Sequence, residues 1–300
     1  MSVAVATASP RVALRAWLEL TKPRIVMLVL FTGLPAALLA AHGAPSARAF
    51  WGAGLGIALS AASAAAFNHY FDRDLDALMV RTRMRPLPSG RIAPAAAAGF
   101  ALVLGWLAWT VLAVACNPLA ALIAMANIFY YAIVYTVWLK RRTPLNIVIG
   151  GGAGASAPII AWAAITGRVE LPALLLAGIV FLWTPPHFWS LSLYRRDDYL
   201  RAGLPMLPVT HGEPETRRQI LGYAIALVAV TLIVAPFAGL GWLYGSAAAV
   251  LGALFVAGAW RLYRRPETAH AIALFRYSIL YLFALFLVMT ADALLRLRGA

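Results

Sequence analysis

The chain has 300 residues, 63% hydrophobic and 12% charged, with a formal net charge of +14 and a mean hydropathy of +0.81. A soluble domain carries about 25% charged residues, so the composition excludes an ordinary soluble enzyme and marks a polytopic membrane protein. The basic excess is spread over short loops between apolar spans, which excludes a nucleic-acid surface, and one cysteine, Cys116, excludes an internal disulfide, a C-x-x-C-H haem attachment or a thiolate cluster.

In chain order, residues 1–23 form a short segment interrupted by Arg11, Arg15 and Glu19. It has no compact apolar core followed by a cleavage site, so no removable signal is read there. A span needs about 20 mostly apolar residues. Nine stretches meet that requirement: 24–42, 50–71, 94–115, 118–138, 144–165, 171–193, 219–239, 243–262 and 272–295. Pro23, Pro94, Pro118, Pro144 and Pro172 stand at or near span starts, where a missing N–H costs nothing. The fold expected is all-α, a single membrane domain over 1–300 built as one nine-helix bundle.

With a cytoplasmic N-terminus and alternating spans, 21 of the 25 Lys and Arg fall on the cytoplasmic side, leaving Arg48, Arg168, Arg296 and Arg298 opposite. That split obeys the positive-inside rule and predicts an N-in, C-out topology. Seven of the 11 acidic residues fall in two cytoplasmic loops: Asp72, Asp74 and Asp76, then Asp197, Asp198, Glu213 and Glu215. Chemistry is therefore expected between these loops.

In the first loop, Asn68, Asp72 and Asp76 are spaced four apart, which places an amide and two carboxylates on one helical face. Carboxylates at a bilayer boundary pair or coordinate, and Mg²⁺ is held by one or two carboxylates together with substrate phosphates. The local reading is a metal–diphosphate site. Asp74 points elsewhere and is expected to pair with an arginine. In the second loop, Arg196, Asp197 and Asp198 precede a run broken by Gly203, Pro205 and Pro208. If the two loops meet, they hold two Mg²⁺ ions between them.

Lys22, Arg24, Arg81, Arg85 and Arg196 are candidate phosphate grips. Lys140, Arg141 and Arg142 are read as topology determinants, and Arg81 as the better functional candidate. Within the sixth span, Pro185 and Pro186 are read as interrupting the helix's hydrogen-bond ladder just before His187, a membrane-embedded histidine, as is tolerated where backbone lines a cavity. The glycines at 150–152 lack the strand and the Lys-Ser/Thr of a nucleotide loop, and read as tight helix packing.

The Asn68-x3-Asp72-x3-Asp76 motif closing a second span of nine resembles the UbiA-type intramembrane prenyltransferases. TKPRI at 21–25, RTRMRPLPSG at 81–90, TPLNIVIGGGAGASAP at 143–158, TPPHFW at 184–189 and DYLRAGLPMLPV at 198–209 resemble its haem-farnesylating branch in particular. The resemblance implies that Asn68, Asp72 and Asp76 bind Mg²⁺ and a diphosphate. It also puts Asp198, with Asp197 beside it, in the second metal motif, where Tyr194 replaces the superfamily's first aspartate. The implied reaction is farnesyl transfer from farnesyl diphosphate to the 2-vinyl group of haem b with addition of water, in a bacterial inner membrane, with the site on the cytoplasmic side. It makes Asn68, Asp72, Asp76, Arg81 and Asp198 the catalytic set, His187 and Tyr194 candidate haem contacts, and haem A synthase or a terminal oxidase the protein partner. The aromatics Phe67, Phe71, Phe129, Tyr130, Tyr131, Tyr135, Phe181 and Trp183 are read mostly as packing, some of them as cation-stabilising faces. The rival readings are a prenyltransferase for an aromatic or quinone precursor, a nine-span transporter and a haem carrier.

Overall fold

The computed structural model describes residues 10–299. Residues 1–9, and the side chains of Arg11 and Arg298 counted in the charge asymmetry, lie outside the described residues. The helices are α1 Pro10–Leu20, α2 Pro23–Ala40, α3 Ala47–Phe71, α4 Arg73–Leu78, α5 Pro94–Ala115, α6 Pro118–Phe129 continued by a π-helix over Tyr130–Leu139, α7 Asn146–Gly154, α8 Ser156–Thr166, α9 Leu171–Tyr194, α10 Arg196–Arg201, α11 Leu207–Thr210, α12 Gly212–Phe237, α13 Trp242–Arg264 and α14 Thr268–Gly299. Among the described residues nine helical stretches are long and apolar enough to cross a membrane, with α6 and its π extension counting as one and α7–α8 as another. They match the predicted spans closely except the seventh, which starts at Gly212 rather than 219. Its first turn keeps Glu213 and Glu215, with Arg217 and Arg218 paired to them, so a charged helix end precedes the apolar stretch.

Local chemistry sets the helix ends. Proline occupies the first turn of α2, α5, α6 and α9, where its fixed φ suits the helix and no donor is lost. Ser46 caps α3 by accepting from the Ala49 amide at 3.2 Å, and Asn117 caps α6 by accepting from Ala120 at 3.0 Å. Pro185 and Pro186 lie inside α9, which runs through both to Tyr194, as the predicted span 171–193 does. The neighbouring hydroxyls bond back along the helix, Thr184 to the Val180 carbonyl at 2.9 Å and Ser190 to the Pro186 carbonyl at 2.6 Å.

The spans close a ring. α2, α3, α5, α6 and α8 pack in sequence on one side, α9, α12, α13 and α14 on the other, and α7–α9, α8–α9 and α14–α2 contacts join the two sets. Small residues allow close approach: a Cβ on Gly52 or Gly56 would overlap Ala115 or Leu112 of α5. Trp162, Trp189, Tyr244, Tyr281, Phe255 and Phe286 are fully buried. Trp51, Trp106, Phe129 and Trp242 are exposed on the outer surface, where lipid would meet them.

The end of the bundle remote from Asn68 has its own lock. Asp292, 4% exposed, accepts from the Gly241 amide at 2.7 Å and pairs with Arg296 at 3.2 Å, capping α13 from α14. Asp292→Ala is expected to cost about 1–2 kcal/mol through the lost cap. A thermal melt in detergent should show a lower Tm with turnover retained at low temperature; an unchanged Tm would mean that the cap contributes nothing.

Candidate active site

α3 ends at Phe71, and Asp72 takes the non-helical dihedrals φ −90° and ψ 3° before α4 begins. The four-residue repeat nevertheless carries across the break, because the Asp72 amide donates to the Asn68 carbonyl at 2.9 Å and Asp76 to Asp72 at 2.8 Å. Asn68, Asp72 and Asp76 are all buried, at 3%, 1% and 4% exposure. The Asn68 amide nitrogen donates to Asp72 Oδ2 at 2.7 Å and to Thr136 Oγ1 at 3.1 Å.

Three cations converge on this acidic set from three parts of the chain. Lys22 Nζ donates to Asn68 Oδ1 at 2.6 Å, Lys140 Nζ donates to Asp72 Oδ2, and Arg85 Nη1 reaches both oxygens of Asp76 at 2.8 Å. Lys22 precedes Pro23, which disfavours the right-handed helical conformation, and adopts φ 49° and ψ 64°. A left-handed lysine stores strain of a kind that concentrates at functional sites. Burial, with Arg85 and Lys140 nearby, pulls the Lys22 ammonium down to about 7. Arg85 and Lys140 balance the two carboxylates, and Lys22 adds a third donor that an arriving anion would hold in its charged form. Asp72 Oδ1 is buried with no partner among the described residues, and so is His69 Nδ1.

Lys140 is the residue whose role the sequence left hidden. It follows the π-helix, where the ladder shifts to i→i+5: Lys140 donates its backbone N–H to the Tyr135 carbonyl at 2.8 Å. Thr136 Oγ1 repeats that register by donating to the Tyr131 carbonyl at 2.7 Å, and its oxygen meets Asn68. Asp74 pairs bidentately with Arg141 at 2.7 Å. This partner lies in a distant loop and holds the Asp74 carboxyl below its usual range, mainly through the hydrogen bond.

The remaining predicted residues lie apart from this network. Arg24 and Arg81 are exposed and form no ion pair among the described residues. Arg196 donates to the Pro208 carbonyl at 3.3 Å. Asp197 is exposed, while Asp198 is buried and pairs with Arg201 of its own helix at 3.1 Å. Among the described residues no group of three or more His, Cys, Asp or Glu is gathered as a metal centre. The second loop approaches through Tyr199, which lies within electrostatic reach of Arg81 and Lys140 and whose phenol burial pushes up. Tyr194 rests edge-on against Phe275, with the Arg195 guanidinium 5.6 Å from its ring centre.

A cavity of about 280 Å³ runs inward from Lys22 between α2, α3, the π-helix, α7, α8 and α9. Of the aromatics singled out in the sequence, Tyr131, Tyr135 and Trp183 line it. Tyr131 and Tyr135 stack at 5.3 Å. On the cavity's α9 side His187 lies between Trp183 and Phe275, with ring centres 4.3 and 4.7 Å away. The glycines at 150–152 make this wall possible: a Cβ on Gly150 would stand 2.8 Å from the Tyr135 ring, and one on Gly152 3.1 Å from the Tyr130 hydroxyl. Gly150→Ala is expected to displace Tyr135 and lower kcat about tenfold, since overpacking costs about 1–3 kcal/mol. Gly154→Ala, which meets nothing within 4 Å, should leave turnover unchanged; equal effects at the two positions would contradict the packing argument.

The UbiA prenyltransferase family model matches residues 29–288. The chain belongs to the UbiA prenyltransferase family. It is thus an intramembrane prenyltransferase, and its closely similar relatives are specific in their naming. The protoheme IX farnesyltransferase of Azotobacter vinelandii is 48% identical over 293 residues, covering 97% of this chain and 98% of that one. The one from Alkalilimnicola ehrlichii is 50% identical over 279 residues, covering 93% and 92%. Solved structures share the fold at lower identity. A digeranylgeranylglyceryl phosphate synthase gives a TM-score of 0.79 at 18% identity, covering 94% of this chain and 98% of that one. A UbiA homologue from Archaeoglobus fulgidus, bound to DMAPP and Mg²⁺, gives 0.63 at 20% identity, covering 91% and 98%.

Proposed function

We propose that this prenyltransferase moves the farnesyl group of farnesyl diphosphate onto the 2-vinyl group of haem b, with addition of water, giving haem O and diphosphate. The observation that carries the reading is one cavity lined by Lys22, Tyr131, Tyr135, Trp183 and His187, in a chain about half identical to relatives named for this activity. One end suits a diphosphate and the apolar interior suits an isoprenoid. The α9 side offers Trp183 and a histidine edge to a porphyrin.

Asn68, Asp72 and Asp76 fit Mg²⁺, because they supply hard oxygen donors and Asp72 Oδ1 is buried without a partner among the described residues. When bound, Mg²⁺ neutralises the diphosphate and makes it a better leaving group. Lys22, Lys140 and Arg85, now paired to the amide and the carboxylates, are placed to transfer those hydrogen bonds to phosphate oxygens. Arg offers a fork and Lys a point charge. The C1–O bond of the farnesyl group breaks with its electron pair leaving on diphosphate. Tyr131 and Tyr135, which line the cavity, are placed to stabilise the allylic cation, and the apolar cavity keeps bulk water from it. The vinyl π pair then bonds to farnesyl C1. The cation left on the haem side takes up water and loses a proton, leaving a hydroxyl.

The reading places the acidic cluster on the cytoplasmic side of a bacterial inner membrane, with an N-in, C-out chain handing its product to haem A synthase or a terminal oxidase. The test is mass spectrometry of haem extracted after incubation of the purified protein with haem b and farnesyl diphosphate, with Mg²⁺ or with EDTA. A Mg²⁺-dependent product heavier by a farnesyl group and a water is expected. Prenylation of an aromatic acid instead, with haem untouched, would transfer the chain to the quinone-precursor reading.

A further inference from the structure

Ser278 lies on α14, in the part of the chain from which the sequence yielded no motif. Its hydroxyl donates to the Phe275 carbonyl at 2.7 Å, and its oxygen stands 2.7 Å from His187 Nδ1. A serine hydroxyl has one hydrogen and two lone pairs. With that hydrogen committed to Phe275, the oxygen can only accept, so the proton between the two side chains belongs to His187 Nδ1. The tautomer is thus assigned by the hydrogen-bond network. The Trp183 indole donates to the Ser278 carbonyl at 2.7 Å, which ties the serine backbone to the ring stacked on His187. Trp183 and Phe275 cover the two imidazole faces, and Ser278 holds one edge. His187 Nε2 has no hydrogen-bond partner among the described residues, and His187 lines the cavity.

We propose that Ser278 is a positioning residue, fixing His187 in the Nδ1–H tautomer so that the Nε2 lone pair faces the cavity as a ligand for the iron of a flat macrocycle. This deepens the haem reading above and rests on it. Metal-ligating histidines usually donate their other ring N–H to an acceptor that sets orientation and basicity, and removal of that acceptor weakens metal binding about 10–100-fold. Here the acceptor is a hydroxyl from a helix otherwise concerned with packing. The neutral imidazole between two aromatic faces has little freedom to rotate.

Ferrous and ferric haem b would be titrated into the full-length protein in detergent, without prenyl diphosphate, for the wild type and for Ser278→Ala, Ser278→Thr and His187→Ala. The readouts are the dissociation constant from the Soret change and the iron–histidine stretch in the resonance Raman spectrum of the ferrous form. The wild type should show that stretch and His187→Ala should lose it. Ser278→Ala should bind about 10–100-fold more weakly, with the stretch moved to lower frequency, and Ser278→Thr should restore both. Identical stretches in wild type and Ser278→Ala would overturn the positioning role. A stretch that persists in His187→Ala, or a wild type that binds haem without one, would overturn the ligation while leaving haem as substrate. A wild type that binds no haem would overturn both this inference and the function on which it rests.

Discussion

Asp72→Ala is expected to lower kcat/KM for prenyl transfer by two to three powers of ten or more. The carboxylate is 1% exposed and engages Asn68 and Lys140. Removing one partner of a buried charge pair costs about 3–5 kcal/mol, and each 1.36 kcal/mol is a factor of ten in rate. Two losses coincide in this variant: an oxygen donor disappears from the proposed metal set, and the Lys140 ammonium loses its counter-charge. Asp74→Asn is the control, because its pair with Arg141 is solvent-exposed, and exposed pairs contribute about 0–1 kcal/mol. Steady-state kinetics at saturating Mg²⁺ would check both variants. Asp72→Ala within tenfold of wild type, or Asp74→Asn equally impaired, would remove the buried cluster from the chemistry.

Lys140→Ala should raise the KM for farnesyl diphosphate about 10- to 100-fold with the KM for haem little changed, since hydrogen bonds to charged groups contribute about 1.5–3 kcal/mol. Arg81→Ala should do less, because Arg81 is exposed and touches neither Asp72 nor Asp76. Sequence reasoning ranks these two the other way, giving Lys140 to topology and Arg81 to phosphate. Paired KM measurements decide the order, and a larger effect at Arg81 would show that the diphosphate sits further out than Lys22 and Lys140.

The reasons for that reversal are physical. Asn68, Asp72 and Asp76 are legible because a four-residue spacing needs only local helical geometry, and it holds even though α3 breaks at Asp72. Lys140 is illegible because it reaches Asp72 across 68 positions from the end of a π-helix, and a π register leaves no mark in apolar periodicity. The nine spans could be counted because burial in lipid imposes a composition over 20 residues. The course of α9 through Pro185 and Pro186 follows the predicted span, because a continuous apolar composition outweighs two missing ladder bonds where the helix is packed within the bundle. Ser278 sits among apolar residues with no motif around it. Only the fold, which brings α14 against α9, reveals its contact with His187. The glycines at 150–152 read correctly as close packing, but their neighbours Tyr135, Thr184 and Tyr130 were unpredictable.

The most direct test of the central claim, that the cluster around Asp72 holds metal and diphosphate together, uses Mn²⁺ in place of Mg²⁺ and an unreactive thio analogue of farnesyl diphosphate. Electron–nuclear double resonance on the purified protein would then report whether the bound ion is coupled to phosphorus. Phosphorus coupling in the wild type, abolished in Asp72→Ala and preserved in Asp74→Asn, is the predicted result. Coupling of undiminished strength in Asp72→Ala would contradict it and place the metal–diphosphate complex elsewhere on the protein.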